Sequence, residues 1–154
     1  MKDKQQLIGE IRYAIRLAER TARLYRRIQT TGVFLSIIGG SAAMTSIANG
    51  IPAWITATGG ILLTFAGATL IAVRPADKAA QNEADAKRYQ QLMTHANSLN
   101  EQALEDALEE TRIGSASEIE PLRAIAYNDM VLEINRPDAM IELSSTQKIL
   151  RSLA

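Results

Sequence analysis

The chain has 154 residues, with 17 Lys and Arg balancing 17 Asp and Glu, and no cysteine. The length fits one domain, and the missing thiols exclude disulfides, Cys-based zinc sites and thiol nucleophiles. The balance of charge conceals three unlike segments: residues 1–30 are strongly basic, residues 31–73 carry no charge, and residues 75–154 are acidic. Such asymmetry points to a membrane, a nucleic acid or another charged partner.

Residues 4–28 predict an amphipathic helix, because Leu7, Ile8, Ile11, Ile15, Ala18, Ala22, Tyr25 and Ile28 recur at three- and four-residue steps. Arg12, Arg16, Arg20, Arg23 and Arg27 form a second stripe at the same spacing. This stripe suits lipid phosphates, the acidic C-terminal part of the chain, or a polyanionic ligand, since guanidinium groups match phosphate and carboxylate geometry. The segment is arginine-rich and amphipathic where a cleavable leader would be apolar. Residues 1–27 are therefore read as a basic cytoplasmic helix.

From Ile28 to Val73 no Asp, Glu, Lys, Arg or His occurs. One bilayer crossing takes about 20 helical residues, so the run predicts two spans, near 29–48 and 53–73. The turn falls at Ala48-Asn49-Gly50-Ile51-Pro52-Ala53, where Gly and Pro break a helix. Backbone in lipid must satisfy its own hydrogen bonds, which makes each span helical. Arg20, Arg23, Arg26 and Arg27 precede the pair; Arg74 and Lys78 follow it. The positive-inside rule then places both termini in the cytoplasm and Trp54 at the outer interface.

The spans are rich in small and hydroxyl residues, which allow close helix approach in lipid. Ser41, Thr45 and Asn49 form one row at four-residue spacing; Thr56, Gly60, Thr64 and Ala68 form another. These rows either pack helix on helix or line a pore built from several copies. No intramembrane charge offers a proton relay.

After Arg74-Pro75 the pattern predicts a long helix over 76–111, with an Ala-rich seam through Ala79, Ala86, Tyr89, Met93, Ala96, Ala103 and Ala107. A loop at Arg112–Ser117 precedes helices near 118–135 and 138–153. The expected fold is an all-α membrane protein: an N-terminal amphipathic helix, a two-helix transmembrane hairpin over 28–74, and a cytoplasmic helical region over 75–154. Nothing predicts catalysis, a metal or a cofactor. His95 sits among Gln91, Thr94 and Asn97 as a surface residue, and Glu105, Asp106, Glu109 and Glu110 read as a solvated helical face. No phosphate loop, nucleophile elbow or zinc pattern occurs.

Three stretches carry a family resemblance: Arg74-Pro75-Ala76-Asp77-Lys78-Ala79-Ala80, Ala86-Lys87-Arg88-Tyr89-Gln90-Gln91-Leu92, and Leu122-Arg123-Ala124-Ile125-Ala126-Tyr127-Asn128. With the order of elements, they resemble the SLATT family of two-transmembrane effectors found beside nucleotide-signalling components in bacterial conflict systems. The resemblance implies a homo-oligomeric pore in the bacterial inner membrane. It would disrupt the cell when a nucleotide or oligonucleotide made by a partner nucleotidyltransferase during phage infection changes its state. The arginine stripe is then the preferred ligand surface. A holin-like lesion protein and a non-conducting membrane scaffold are the competing expectations.

Overall fold

The computed structural model describes the backbone of residues 2–49 and 52–154, and their side chains outside 46–49. The expected turn at Gly50-Ile51 and the Asn49 side chain lie outside the described residues. All regular elements described are helical: α1 Lys4–Asn49, α2 Ala53–Val73, α3 Pro75–His95, α4 Glu101–Ile113, α5 Arg123–Glu133 and α6 Ser145–Leu153. Single 3-10 turns occupy Glu120–Leu122 and Pro137–Ala139. The chain divides into two compact units, one formed by Met1–Leu24 with Lys78–Ala154, the other by Tyr25–Asp77.

In the first unit, the start of α1 is the central element. Leu7 and Ile11 are fully buried against Tyr89 of α3, Ala96 just beyond its end, and the α4 side chains Leu104 and Leu108. One to three turns further on, Leu17 buries with Leu122, Ile125, Ala126, Leu143 and Ala154. The basic amphipathic helix is thus held on its apolar face by two clusters. Fully burying a Leu or Ile side chain contributes about 1.5–3 kcal/mol. Small side chains are buried on both helices of this unit: Ala18, Thr21 and Ala22 on α1, Ala79 and Ala86 on α3.

The helix expected over 76–111 is two helices. α3 ends at His95, and the chain turns through Ala96–Asn100 before α4. Asn100 caps α4 by accepting a hydrogen bond from the Ala103 N–H at 2.8 Å. Lys4 Nζ donates to the carbonyls of Asn97 (3.0 Å) and Leu99 (2.8 Å), satisfying acceptors that the break leaves open. The consequence is a shift of the buried face. In α4 it is Leu104 and Leu108 that enter the core, while Ala103 and Ala107 are half-buried.

Two other boundaries also move inward. The helix expected over 118–135 is α5, Arg123–Glu133, ended by Asn135 at φ 55°. Its N–H reaches the Leu132 carbonyl and the Arg136 N–H reaches that of Val131, a left-handed C-terminal cap. The helix expected over 138–153 begins only at Ser145. Ser144 and Gln147 form a capping box there, the Gln147 N–H donating to Ser144 Oγ and the Ser144 N–H to Gln147 Oε1.

In the second unit, the remainder of α1 and all of α2 pack antiparallel. Gly32 lies against Leu70, and further along Gly39 lies against Gly59 and Leu63. α2 stops at Arg74, which takes φ 50° and donates its N–H to the Leu70 carbonyl. Pro75 follows as the first residue of α3, where its missing N–H costs nothing. The helical stretch Ala53–His95 holds a segment long and apolar enough to cross a membrane, and 11% of that segment is buried.

Candidate functional site

The arginine stripe in the first unit faces α5. Arg20 donates Nε and Nη2 to the two Asp129 oxygens at 2.7 and 3.0 Å. Arg16 donates Nε and Nη2 to Glu133 Oε2 at 3.0 and 2.8 Å, and Nη1 to Glu19 at 2.9 Å. Arg12 reaches Glu133 at 3.3 Å. The matching is a spacing effect: Arg16 and Arg20 lie one turn apart on α1, and Asp129 and Glu133 lie one turn apart on α5. Glu133 holds the Arg16 guanidinium above its ordinary pKa, chiefly by hydrogen bonding.

Arg23 differs. It is exposed, and donates Nη1 to the terminal oxygen of Ala154 at 3.1 Å instead of to a side-chain carboxylate. Arg20 Nη1 shares that oxygen at 2.9 Å and also reaches the Arg151 carbonyl at 3.3 Å. Beside this end of the stripe is a groove of about 470 Å³ lined by Arg16, Glu19, Arg20, Arg23, Asp129, Leu132 and Glu133. Three guanidinium groups face three carboxylates, so the lining is neutral in sum. Arg27 occupies an exposed position of α1 in the second unit.

The small and hydroxyl rows of the second unit sort into two faces. A Cβ added at Gly39 would lie 2.6 Å from the Gly59 carbonyl oxygen, and one at Gly59 would lie 2.7 Å from that of Gly39. These two glycines carry the helix–helix contact. Gly60 and Gly67 have nothing within 4 Å of where a Cβ would stand. Ser41, Thr45 and Thr64 are exposed, and Thr56 and Gly60 are half-buried. Several other hydroxyls are satisfied by their own helix: Ser36 donates to the Gly32 carbonyl, Thr58 to that of Trp54 and Thr69 to that of Phe65, at 2.8–2.9 Å. Among the described residues, Ser41 and Thr64 have no such intrachain partner.

Two polar anchors were not visible in the sequence pattern. Asn128, 3% exposed, donates Nδ2 to the Ile141 carbonyl and accepts from the Ile141 N–H, both at 2.8 Å. Its place in the Ala126-Tyr127-Asn128 stretch is therefore structural: it pins the extended segment that delivers Leu143 to the core. Asp85, also buried, accepts from the Ala116 N–H at 2.8 Å, while Tyr89 and Ser115 bond through their hydroxyls at 2.8 Å. Together they fix the loop after α4. His95 and the α4 carboxylates Asp106, Glu109 and Glu110 are exposed, Glu105 is half-buried, and no group of His, Asp and Glu among the described residues is placed to hold a metal.

No family model, curated protein or solved structure matches the chain.

Proposed function

We propose that the chain is an integral membrane protein whose second unit crosses the bilayer twice as a hairpin, and that copies assemble into a pore. The observation that carries this reading is the belt of large apolar side chains on the outside of the paired helices. Phe34, Ile37, Met44, Trp54, Ile61, Phe65 and Ile71 are each more than 60% exposed, on a stretch without one charged residue. Monomeric soluble proteins rarely leave so large an apolar surface in water. The orientation that suits the flanking arginines has both termini in the cytoplasm. Assembly is supported by the glycine faces: Gly39 and Gly59 serve the hairpin itself, which leaves Gly60, Gly67, Ser41 and Thr64 for a neighbouring copy or a lumen. An exposed hydroxyl in lipid gains from a partner on an adjacent helix.

The resemblance to SLATT effectors extends the proposal to a defence role, in which a nucleotide signal opens or closes the pore. The ion pairs on Arg12, Arg16 and Arg20 restrict that extension. Any anion recognised by the stripe has to compete with Glu133 and Asp129 or bind at Arg23.

Two measurements test the reading. After cell lysis the protein should resist alkaline carbonate extraction and stay with the membranes; recovery in the soluble fraction overturns the membrane assignment. Reconstituted in liposomes, it should pass ions, and replacing Ser41 and Thr64 together with Leu should alter that flux. Insertion without flux would favour the scaffold.

A further inference from the structure

In the first unit, α1, α3 and the loop after α4 border a cavity of about 30 Å³, whose polar lining is Thr21, Asn82, Asp85, Tyr89, Ser115 and Glu118. That is room for one small ion or water. Thr21, Asn82, Asp85 and Tyr89 are each more than nine-tenths buried.

The protons of this lining can be followed one by one. Each hydroxyl has a single proton to donate. Thr21 donates to the Leu17 carbonyl and Ser115 to the Thr111 carbonyl, both at 2.8 Å. The bond between Tyr89 and Ser115 therefore takes its proton from Tyr89. Thr21 and Tyr89 are left with acceptor lone pairs alone. Asn82 donates Nδ2 to the Lys78 carbonyl of its own helix, and among the described residues its Oδ1 has no hydrogen-bond partner. Side-chain atoms fully sealed in the packing are all paired among the described residues, so Oδ1 is open to the cavity that Asn82 lines. Asp85 accepts from the Ala116 N–H at 2.8 Å and from Arg88 at 3.3 Å. Arg88 is itself exposed, divides the same nitrogen with the Gly114 carbonyl at 3.4 Å, and does not line the cavity.

The cavity thus offers oxygens whose hydroxyl protons are spent, around one deeply buried carboxylate. A water could donate to two of these oxygens and would set its own lone pairs against the others. A hard cation takes all of them as ligands. Charge limits its valence. Asp85 is the buried carboxylate; Glu118 is exposed and paired with Arg123 at 2.8 Å. Calcium sites usually combine several carboxylates.

We propose that this cavity binds one monovalent cation, sodium or potassium, through Asn82 Oδ1, the Asp85 carboxylate, Thr21 Oγ1 and Tyr89 Oη, and that the bound ion ties α1, α3 and the loop after α4 together. The site lies within the first unit and does not rest on the membrane or pore reading.

The test is unfolding and amide hydrogen exchange of the full chain in non-ionic detergent, at equal ionic strength in sodium, potassium or choline chloride. Choline is too large for the cavity. A tenfold excess of ion over its dissociation constant raises the midpoint of a unit this size by roughly 5–10 °C. The bound ion should also slow exchange severalfold at the Ala116 amide. The salt that gives the larger shift identifies the ion. Asp85→Asn keeps an acceptor for Ala116 and removes the charge; Asn82→Leu removes the open oxygen at similar volume. Each should abolish the difference between the alkali salts and choline, and either variant suffices if the other does not fold. Equal midpoints and equal exchange in all three salts would mean that the cavity holds water only and would overturn the proposal. Ion dependence that persists in a folded variant would assign the effect to surface charge and overturn it as well.

Discussion

Gly39 and Gly59 give the sharpest prediction. A methyl group at Gly39 would stand 2.6 Å from the Gly59 carbonyl oxygen and 2.8 Å from the Leu63 nitrogen. Both are backbone atoms, so no side chain can swing aside. Ordinary contact begins near 3.4 Å, so the helices must part by about 0.8 Å or tilt by an equivalent amount. Overpacking of this kind typically costs about 1–3 kcal/mol. Gly60 is the internal control: it has the same residue type and the adjacent position, but nothing lies within 4 Å of its missing Cβ. Gly60→Ala should be neutral within the hairpin or stabilising by up to ~1 kcal/mol, through helix propensity. The assay is thermal unfolding in detergent, followed by circular dichroism, with each variant compared against the wild type. Because the native chain has no cysteine, Val33→Cys with Ile71→Cys provides a clean spin-label pair, and Gly39→Ala or Gly59→Ala should lengthen or broaden its distance distribution. The two destabilised variants share one contact, so combining them should cost less than the sum. Equal stability of Gly39→Ala and Gly60→Ala, with an unchanged label distance, would refute the packing described.

Three other outcomes follow from the first unit. Leu104→Ala empties a fully buried position beneath α1 and should destabilise by about 2–5 kcal/mol in denaturant unfolding. Asn128→Ala removes both hydrogen bonds to the Ile141 backbone, at about 0.5–1.5 kcal/mol for each bond lost; hydrogen exchange at Ile141 should rise sharply, and unaltered protection there would dismiss the clamp. Glu10 is raised by burial but brought below its ordinary 4.5 overall by Lys2 and Arg112. Its pairs therefore stabilise the fold fully above about pH 4.5, and that contribution disappears as pH falls through the lowered value. The acid-induced drop in melting temperature should be smaller in Glu10→Gln, and an identical drop would remove Glu10 from the acid response.

Much of the helical architecture was legible because periodicity is a local signal. Leu7, Ile11, Ala18 and Ala22 declare the buried face of α1 by spacing alone, whereas Leu17, which lies outside that pattern, is buried as well. The stripe of arginines was equally plain, and the acidic C-terminal part was one of its expected partners, but the individual carboxylates were not singled out, although Asp129 and Glu133 carry the same one-turn spacing as Arg20 and Arg16. Pairing across more than a hundred residues is a property of the folded chain. The break at Ala96–Asn100 was missed because alanines on both sides sustain a plausible seam, while the capping role of Asn100 depends on the chain turning there. The glycines show the limit most clearly. Gly39-Gly40 and Gly59-Gly60 are adjacent pairs, and sequence cannot say which member faces the neighbouring helix. That phase is set by packing.

The amide of Asn128 has an effect reaching beyond the two hydrogen bonds it makes. Among the described residues no strand exists, yet Ile141 is bonded on both its donor and its acceptor, as it would be beside a neighbouring strand. One side chain thus acts as a template for a single residue of extended chain. Extended segments alternate their faces, so a slip of one position would carry the exposed Glu142 toward the place of the buried Leu143. Asparagine meets this need because it is both donor and acceptor; aspartate, ionised, offers only acceptors. The position therefore selects the alignment of the segment leading to α6 and decides which side chain anchors that helix to the rest of its unit.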